Sequence, residues 1–167
     1  DEHVATEKML AESGIAYALL RNGWYTENYL ASAPAALEHG VFIGAAGEGK
    51  IASATRADYA AAAARVISED GHSGKTYELA GDAGWTLSQL AAELAKQSGK
   101  KVVYQNLSEA DFAAALKGVG LPAGLADMLA DSDTGASKGG LFDDSHTLSK
   151  LIGRPTTSLA DSVKGIV

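Results

Sequence analysis

The chain has 167 residues, of which 46% are apolar, 21% charged and 7% aromatic, a composition that gives one globular domain a core of its own. It has no cysteine, which excludes disulfides, thiolate metal sites and cysteine nucleophiles, and its net charge of −7 argues against non-specific binding to nucleic-acid phosphates. No apolar run reaches the roughly 18 residues that a membrane span needs. With 32 alanines and 19 glycines, the core must be built from small side chains packed closely. The sequence opens on Asp1 without a basic segment followed by an apolar one, so no uncleaved signal peptide is expected. A cytoplasmic location and a start inside a longer protein are the corresponding expectations.

Residues 2–13 set Val4, Met9 and Leu10 near helical spacing among polar residues and alanines, which predicts an amphipathic helix stopped by Gly14. Residues 15–20 are apolar almost without break and predict a strand buried on both faces. Arg21-Asn22-Gly23 ends it, and a loop from Trp24 leads into a short helix. Pro34 suits the first turn of a helix ending near Gly40. Residues 41–43 and 50–52 flank a glycine-rich turn and predict a small hairpin. Residues 56–69 predict a helix, 76–80 a strand, 86–98 a helix stopped by Gly99, and 102–105 a strand. Ser108 opens a helix to Lys117 with an acid at the third position after the cap. Residues 121–130, 148–152 and 158–165 are expected to be helical.

Strands alternating with helices predict an α/β fold with a mostly parallel sheet. Few strands and a helical last third predict the second half of a doubly wound sheet plus a small, mainly helical subdomain. Residues 15–20 and 76–80 are expected to run parallel in one sheet.

Two motifs invite functions that their context denies. Gly44-Ala-Ala-Gly-Glu-Gly49-Lys50 matches a phosphate loop, but Ile51 stands where that loop needs a hydroxyl, and extended residues follow where it needs a helix. Asp131-Ser-Asp133-Thr-Gly135 resembles the start of a calcium loop, yet Gly135, Ala136 and Phe142 occupy the fifth, sixth and twelfth positions, so a solvated loop is expected. The histidines, His3, His39, His72 and His146, share no metal-binding spacing.

The segment Arg21–Tyr29 carries more chemistry. It follows the carboxyl end of a predicted buried strand, where open α/β sheets bind ligands. Asn22-Gly23 lets backbone amides approach a ligand closely, Trp24, Tyr25 and Tyr29 offer aromatic faces, and Asn28 both donates and accepts. The other reading is a turn followed by an aromatic anchor for the helical subdomain. Lys8 is a second candidate, although its spacing from Glu12 is that of an ordinary surface pair.

The run from His3 through Lys8, Gly14 and Arg21-Asn22-Gly23-Trp24-Tyr25 to Asn28-Tyr29 resembles the NmrA-like atypical short-chain dehydrogenases, their bacterial quinone-reducing members in particular. The resemblance continues through Ser53-Ala-Thr-Arg56-Ala-Asp58-Tyr59, Tyr77–Gly81 and Gly140–Pro155. It implies a Rossmann-type fold in a longer protein, with this chain as the carboxy-terminal part. The glycine-rich G-x-x-G-x-x-G turn that cradles the cofactor pyrophosphate does not occur here. By resemblance, Asn22, Gly23, Trp24, Tyr25, Thr26, Glu27 and Asn28 would hold the nicotinamide end of NADPH. Lys8 matches a lysine near the nicotinamide ribose or substrate, but Val4 replaces the tyrosine usual four residues earlier. The implied activity is hydride transfer from NADPH to a small quinone. Residues 1–33 and 53–100 would belong to the nucleotide-binding domain, and 34–52 and 101–167 to a substrate-binding lid. The implied partners are the quinone and the amino-terminal half of the same protein, with no nucleic acid and no membrane span. Two other readings stay open: a dinucleotide-binding redox-sensing regulator without turnover, and an inactive proteolytic remnant.

Overall fold

Two parallel strand pairs organise the computed structural model, which describes residues 2–167. Strand β1 (Leu19–Asn22) pairs with β3 (Thr76–Leu79), Leu19 opposite Thr76 and Asn22 opposite Leu79. Strand β2 (Val41–Gly44) pairs with β4 (Val103–Asn106), Val41 opposite Val103 and Gly44 opposite Asn106. Around them run α1 (Glu2–Glu12), α2 (Thr26–Leu30), α3 (Ala33–His39), α4 (Arg56–Ser68), α5 (Leu87–Ser98), α6 (Glu109–Gly118), α7 (Ala123–Ser137), α8 (Thr147–Ile152) and α9 (Leu159–Lys164). The chain is therefore α/β with parallel pairing, as the alternation of elements predicted.

The helices begin where local chemistry tells them to. Thr55, Thr86, Ser108 and Ser158 each accept the backbone N–H three residues on, satisfying donors that the helix itself cannot. Thr86 and Gln89 form a reciprocal capping box, and Gly99 ends α5 at φ 70°. Leu87, Leu90, Ala91 and Leu94 of α5 are all buried, so one stripe of that helix faces the core. The stripe packs with Phe42, Ala46, Ile51 and Trp85 in the largest cluster. A second cluster joins Tyr59 and Ala62 to Leu79 and Leu148, and a third sets Phe112 and Ala113 of α6 against Ala45 and Ala130.

Three local expectations are corrected. Strand β1 covers residues 19–22 rather than 15–20, and Ile15 is 68% exposed. Backbone pairing begins at the turn before β3, where the Tyr17 carbonyl accepts Gly74 N–H at 2.7 Å and Leu19 N–H donates to the Lys75 carbonyl at 2.9 Å. Residues 41–52 form no hairpin, because β2 takes β4 as its parallel neighbour while Ile51 exchanges backbone hydrogen bonds with Trp85 at 2.8 and 3.1 Å. Residues 131–135 are helical, since α7 continues to Ser137. Positions two apart on a helix point to nearly opposite sides, so Asp131 is exposed while Asp133 is buried.

Two of the three glycines of the phosphate-loop look-alike, Gly44 and Gly49, serve packing. A Cβ at Gly44 would lie 2.6 Å from Leu87 Cδ1, and one at Gly49 would lie 2.2 Å from the Ala136 carbonyl oxygen. No helix starts at Lys50, whose ammonium lies 5.8 Å from the Phe142 ring centre. Gly49→Ala is expected to destabilise the protein by about 1–3 kcal/mol, because the obstacle is helix backbone that cannot swing aside. A denaturant midpoint unchanged from the unsubstituted protein would contradict this.

Candidate functional site

The segment from Asn22 to Asn28 leaves the carboxyl end of β1 and is spliced onto its surroundings by backbone. Gly23 N–H donates to the Leu79 carbonyl at 2.8 Å. A Cβ at Gly23 would stand 2.9 Å from that same oxygen and 3.3 Å from Tyr59 Oη, so glycine is needed here for approach to β3. Ala54 N–H donates to the Trp24 carbonyl at 3.1 Å and Thr26 N–H to the Ala54 carbonyl at 3.0 Å. The buried hydroxyls of Thr26 and Ser53 are 2.7 Å apart.

The side chains then divide into those already committed and those with capacity to spare. Tyr59 Oη donates to the Trp24 carbonyl at 3.2 Å, and Asn22 Nδ2 donates to Tyr25 Oη at 3.2 Å. Tyr29 Oη donates to Asp133 Oδ1 at 2.9 Å, and Asp133 Oδ2 also accepts the Ala45 N–H at 2.8 Å. Burial pushes the Asp133 carboxyl up, with those two donors working against it, and burial together with the Asp133 charge raises the Tyr29 hydroxyl. Burial likewise raises Tyr59 and pushes Tyr104 up to about 12. These phenols are neutral donors near pH 7, and all three are already spent on protein acceptors, that of Tyr104 on Asn106 Oδ1 at 2.8 Å.

Trp24 is different. Its Nε1 is buried with no hydrogen-bond partner among the described residues, and its ring centre lies 6.5 Å from that of Tyr29. The indole forms a wall shared by two clefts. One, of about 260 Å³, runs between Arg21–Trp24, Leu79–Ala80 and Gly140–Asp143. The other is lined by Asn28, Tyr29, Phe42, Phe112 and Asp133. Glu27 Oε1 accepts the Arg56 N–H at 2.8 Å, and Asn28 Oδ1 accepts from Arg56 Nη2 at 3.3 Å. The structure thus brings Asn22 to Asn28 together around Trp24 and Tyr25. Lys8 is not among the residues lining either cleft: its ammonium is 3.9 Å from Glu12 on α1, with its side chain 76% exposed.

Neither Arg56 nor Asp133, which the sequence set in the calcium-loop look-alike, was expected at this site. The signal for Asp133 was present, because Ala126, Ala130 and Asp133 recur at helical spacing and all three are buried. Arg56 stood in the family-like run after Ser53 but was given no role.

No family model matches the chain. Over 163 residues it is 86% identical to quinone oxidoreductase 2 of Escherichia coli, covering 98% of this chain and 57% of that protein. The NmrA-like atypical short-chain dehydrogenases expected from the sequence fit this likeness. It is similar to the crystal structure of the E. coli NADPH-dependent quinone oxidoreductase complexed with NADPH, with a TM-score of 0.96 at 84% identity over 99% of this chain and 59% of that one. It is also similar to the Citrobacter triphenylmethane reductase complexed with NADP(H), with a TM-score of 0.92 at 37% identity over 99% and 58% of the two chains. The chain spans little more than half the length of the relatives it matches, and it corresponds to the carboxy-terminal part of the E. coli protein.

Proposed function

We propose that this chain is the nicotinamide-side part of an NADPH-dependent quinone oxidoreductase, with Asn22, Gly23, Trp24, Tyr25, Thr26, Glu27 and Asn28 as cofactor contacts. The observation that carries the reading is the 86% identity to E. coli quinone oxidoreductase 2 across 98% of this chain. The residues present suit a nicotinamide, since Trp24 Nε1 is a buried donor without an acceptor beside a cleft of about 260 Å³. When bound, the reduced cofactor supplies the hydride; the chain supplies orientation and shielding. Trp24 gives a flat wall, Asn28 a polar edge, and the hydrogen bonds between 24–26 and 53–54 hold that geometry rigid. Phe42 and Phe112 line the apolar side that a quinone would occupy.

In this reading residues 1–33 and 53–100 serve the nucleotide domain, and 34–52 and 101–167 form the substrate side. Strand pairing supports the division, since β1 and β3 fall in the first set and β2 and β4 in the second, with α5 packed across to the second pair. The quinone and the amino-terminal half of the protein are the proposed partners. Lys8 enters only through its resemblance to a family lysine near the nicotinamide ribose. No helix among the described residues is long and apolar enough to cross a membrane. A cytoplasmic setting is proposed because NADPH chemistry and a cysteine-free chain suit a reducing compartment.

The test is NADPH oxidation by the full-length protein with a benzoquinone acceptor. Binding of NADPH without turnover would replace the proposal with a redox-sensing regulator. Within the full-length protein, Asn28→Ala is expected to weaken NADPH binding about two- to tenfold, the value of one hydrogen bond, with the melting temperature unchanged. Unaltered affinity would return the loop to a purely structural role.

A further inference from the structure

We propose that Arg56 is a positioning residue: it fixes the Asn28 amide so that Nδ2, rather than the oxygen, faces a carbonyl oxygen of the bound ligand. This rests on the cofactor reading of the loop and assigns one of its contacts a direction.

Arg56 is the first residue of α4, where the helix macrodipole favours anions and disfavours a cation. Helix stability therefore does not account for it. Among the described residues no carboxylate lies within 4.0 Å of its guanidinium nitrogens, so it is not half of a surface ion pair. The guanidinium is nevertheless fixed from two sides. Its centre lies 4.4 Å from that of the Tyr25 ring, and Nη2 lies 3.3 Å from Asn28 Oδ1. The Glu27 carboxylate, one residue before Asn28, accepts the Arg56 backbone N–H at 2.8 Å and locks α2 to the start of α4.

A guanidinium has five donors and no acceptor. The atom of the Asn28 amide that meets it must therefore be the oxygen. The NH₂ group is turned the other way, and it has no acceptor among the described residues. Asn28 is half-buried on the wall it shares with Trp24 and Tyr29. The arrangement presents a donor edge, which fits a carbonyl oxygen and repels another N–H. Two kinds of carbonyl belong to the proposed reaction, that of the nicotinamide carboxamide and those of the quinone.

The experiment compares full-length protein with R56A and N28D. N28D keeps a partner for Arg56 but presents no donor. Dissociation constants are measured for NADPH and for its thionicotinamide analogue, whose C=S accepts poorly, and KM is measured for a benzoquinone. The unsubstituted protein is expected to prefer NADPH over the analogue about fivefold, and each variant to lose that preference while binding the analogue as before. A preserved preference with a benzoquinone KM raised about fivefold in both variants supports the positioning role and places the quinone carbonyl at the amide. Equal weakening of NADPH and analogue overturns the proposal, because it shows loss of charge alone, and so does no change in either variant. Absence of NADPH binding by the unsubstituted protein overturns the cofactor reading itself, and this assignment with it.

Discussion

Purified alone, the 167-residue chain is expected to show no NADPH oxidation with a benzoquinone acceptor, and to bind NADPH more weakly than millimolar. The 167 residues include no G-x-x-G-x-x-G turn of the kind that holds a pyrophosphate at a helix N-terminus. What they keep is the loop 22–28 and its few polar edges. Association costs roughly 4 kcal/mol or more in lost translational and rotational freedom, and a few hydrogen bonds at about 0.5–1.5 kcal/mol each leave little net affinity. Strand β1 also has β3 as its one ladder partner among the described residues. The measurement is steady-state oxidation at 340 nm on mass-verified protein, beside the full-length protein. Comparable turnover by both would show that the cofactor site lies within this chain.

Asp58→Ala should cost about 2–4 kcal/mol of stability, read from denaturant midpoints. Asp58 is fully buried at the start of α4. Its Oδ2 accepts Thr157 N–H at 2.8 Å and the Thr55 hydroxyl at 2.9 Å, and Arg154 Nη1 stands 2.7 Å from Oδ1. One side chain thereby pins the segment leading into α9 against the segment leading into α4. The alanine leaves these donors without their acceptor. The Arg154 side chain is half exposed and can turn to solvent, so most of the loss comes from the backbone donor of Thr157 and the hydroxyl donor of Thr55.

The pH dependence follows from the same contacts. Burial pushes the Asp58 carboxyl up, but Thr157, Arg154 and Thr55 outweigh it and hold it below its ordinary value. Asp82 is lowered in the same way, burial being outweighed by Ser149, Thr156 and His146. A carboxyl that is more acidic in the folded state stabilises above its unfolded pKa of about 3.9, and that contribution is lost as pH falls through the folded value. Asp133 has the opposite sign, since its raised pKa means that ionisation opposes folding as pH rises. The unsubstituted protein should therefore lose stability on acidification below about pH 4, and Asp58→Ala should lose less of it over the same range. An identical acid limb in both would show that Asp58 is not held below its ordinary value.

The sequence by itself determined the elements whose cause is local. Helices α4 and α5 follow from Thr55, Thr86 and Gly99 together with their apolar spacing, and the parallel direction of β1 and β3 follows from the helical crossover between them. The resemblance along His3–Tyr29 and Gly140–Pro155 pointed to the NmrA-like family without any coordinate, and the 86% identity to E. coli quinone oxidoreductase 2 fits that reading. Only the tertiary structure decided that β2 pairs with β4 across 62 residues of register instead of folding back on residues 50–52. It alone showed that Gly23 and Gly49 answer to the carbonyls of Leu79 and Ala136. It alone turned Asp133 inward to Tyr29 and Ala45, and set Arg56 between Tyr25 and Asn28. Periodicity tells which face of an element is apolar and caps tell where it starts, because both act within a few residues. What covers that face, and which distant donor meets a given acceptor, is set by contacts between segments far apart in the chain, and these leave no local pattern to read.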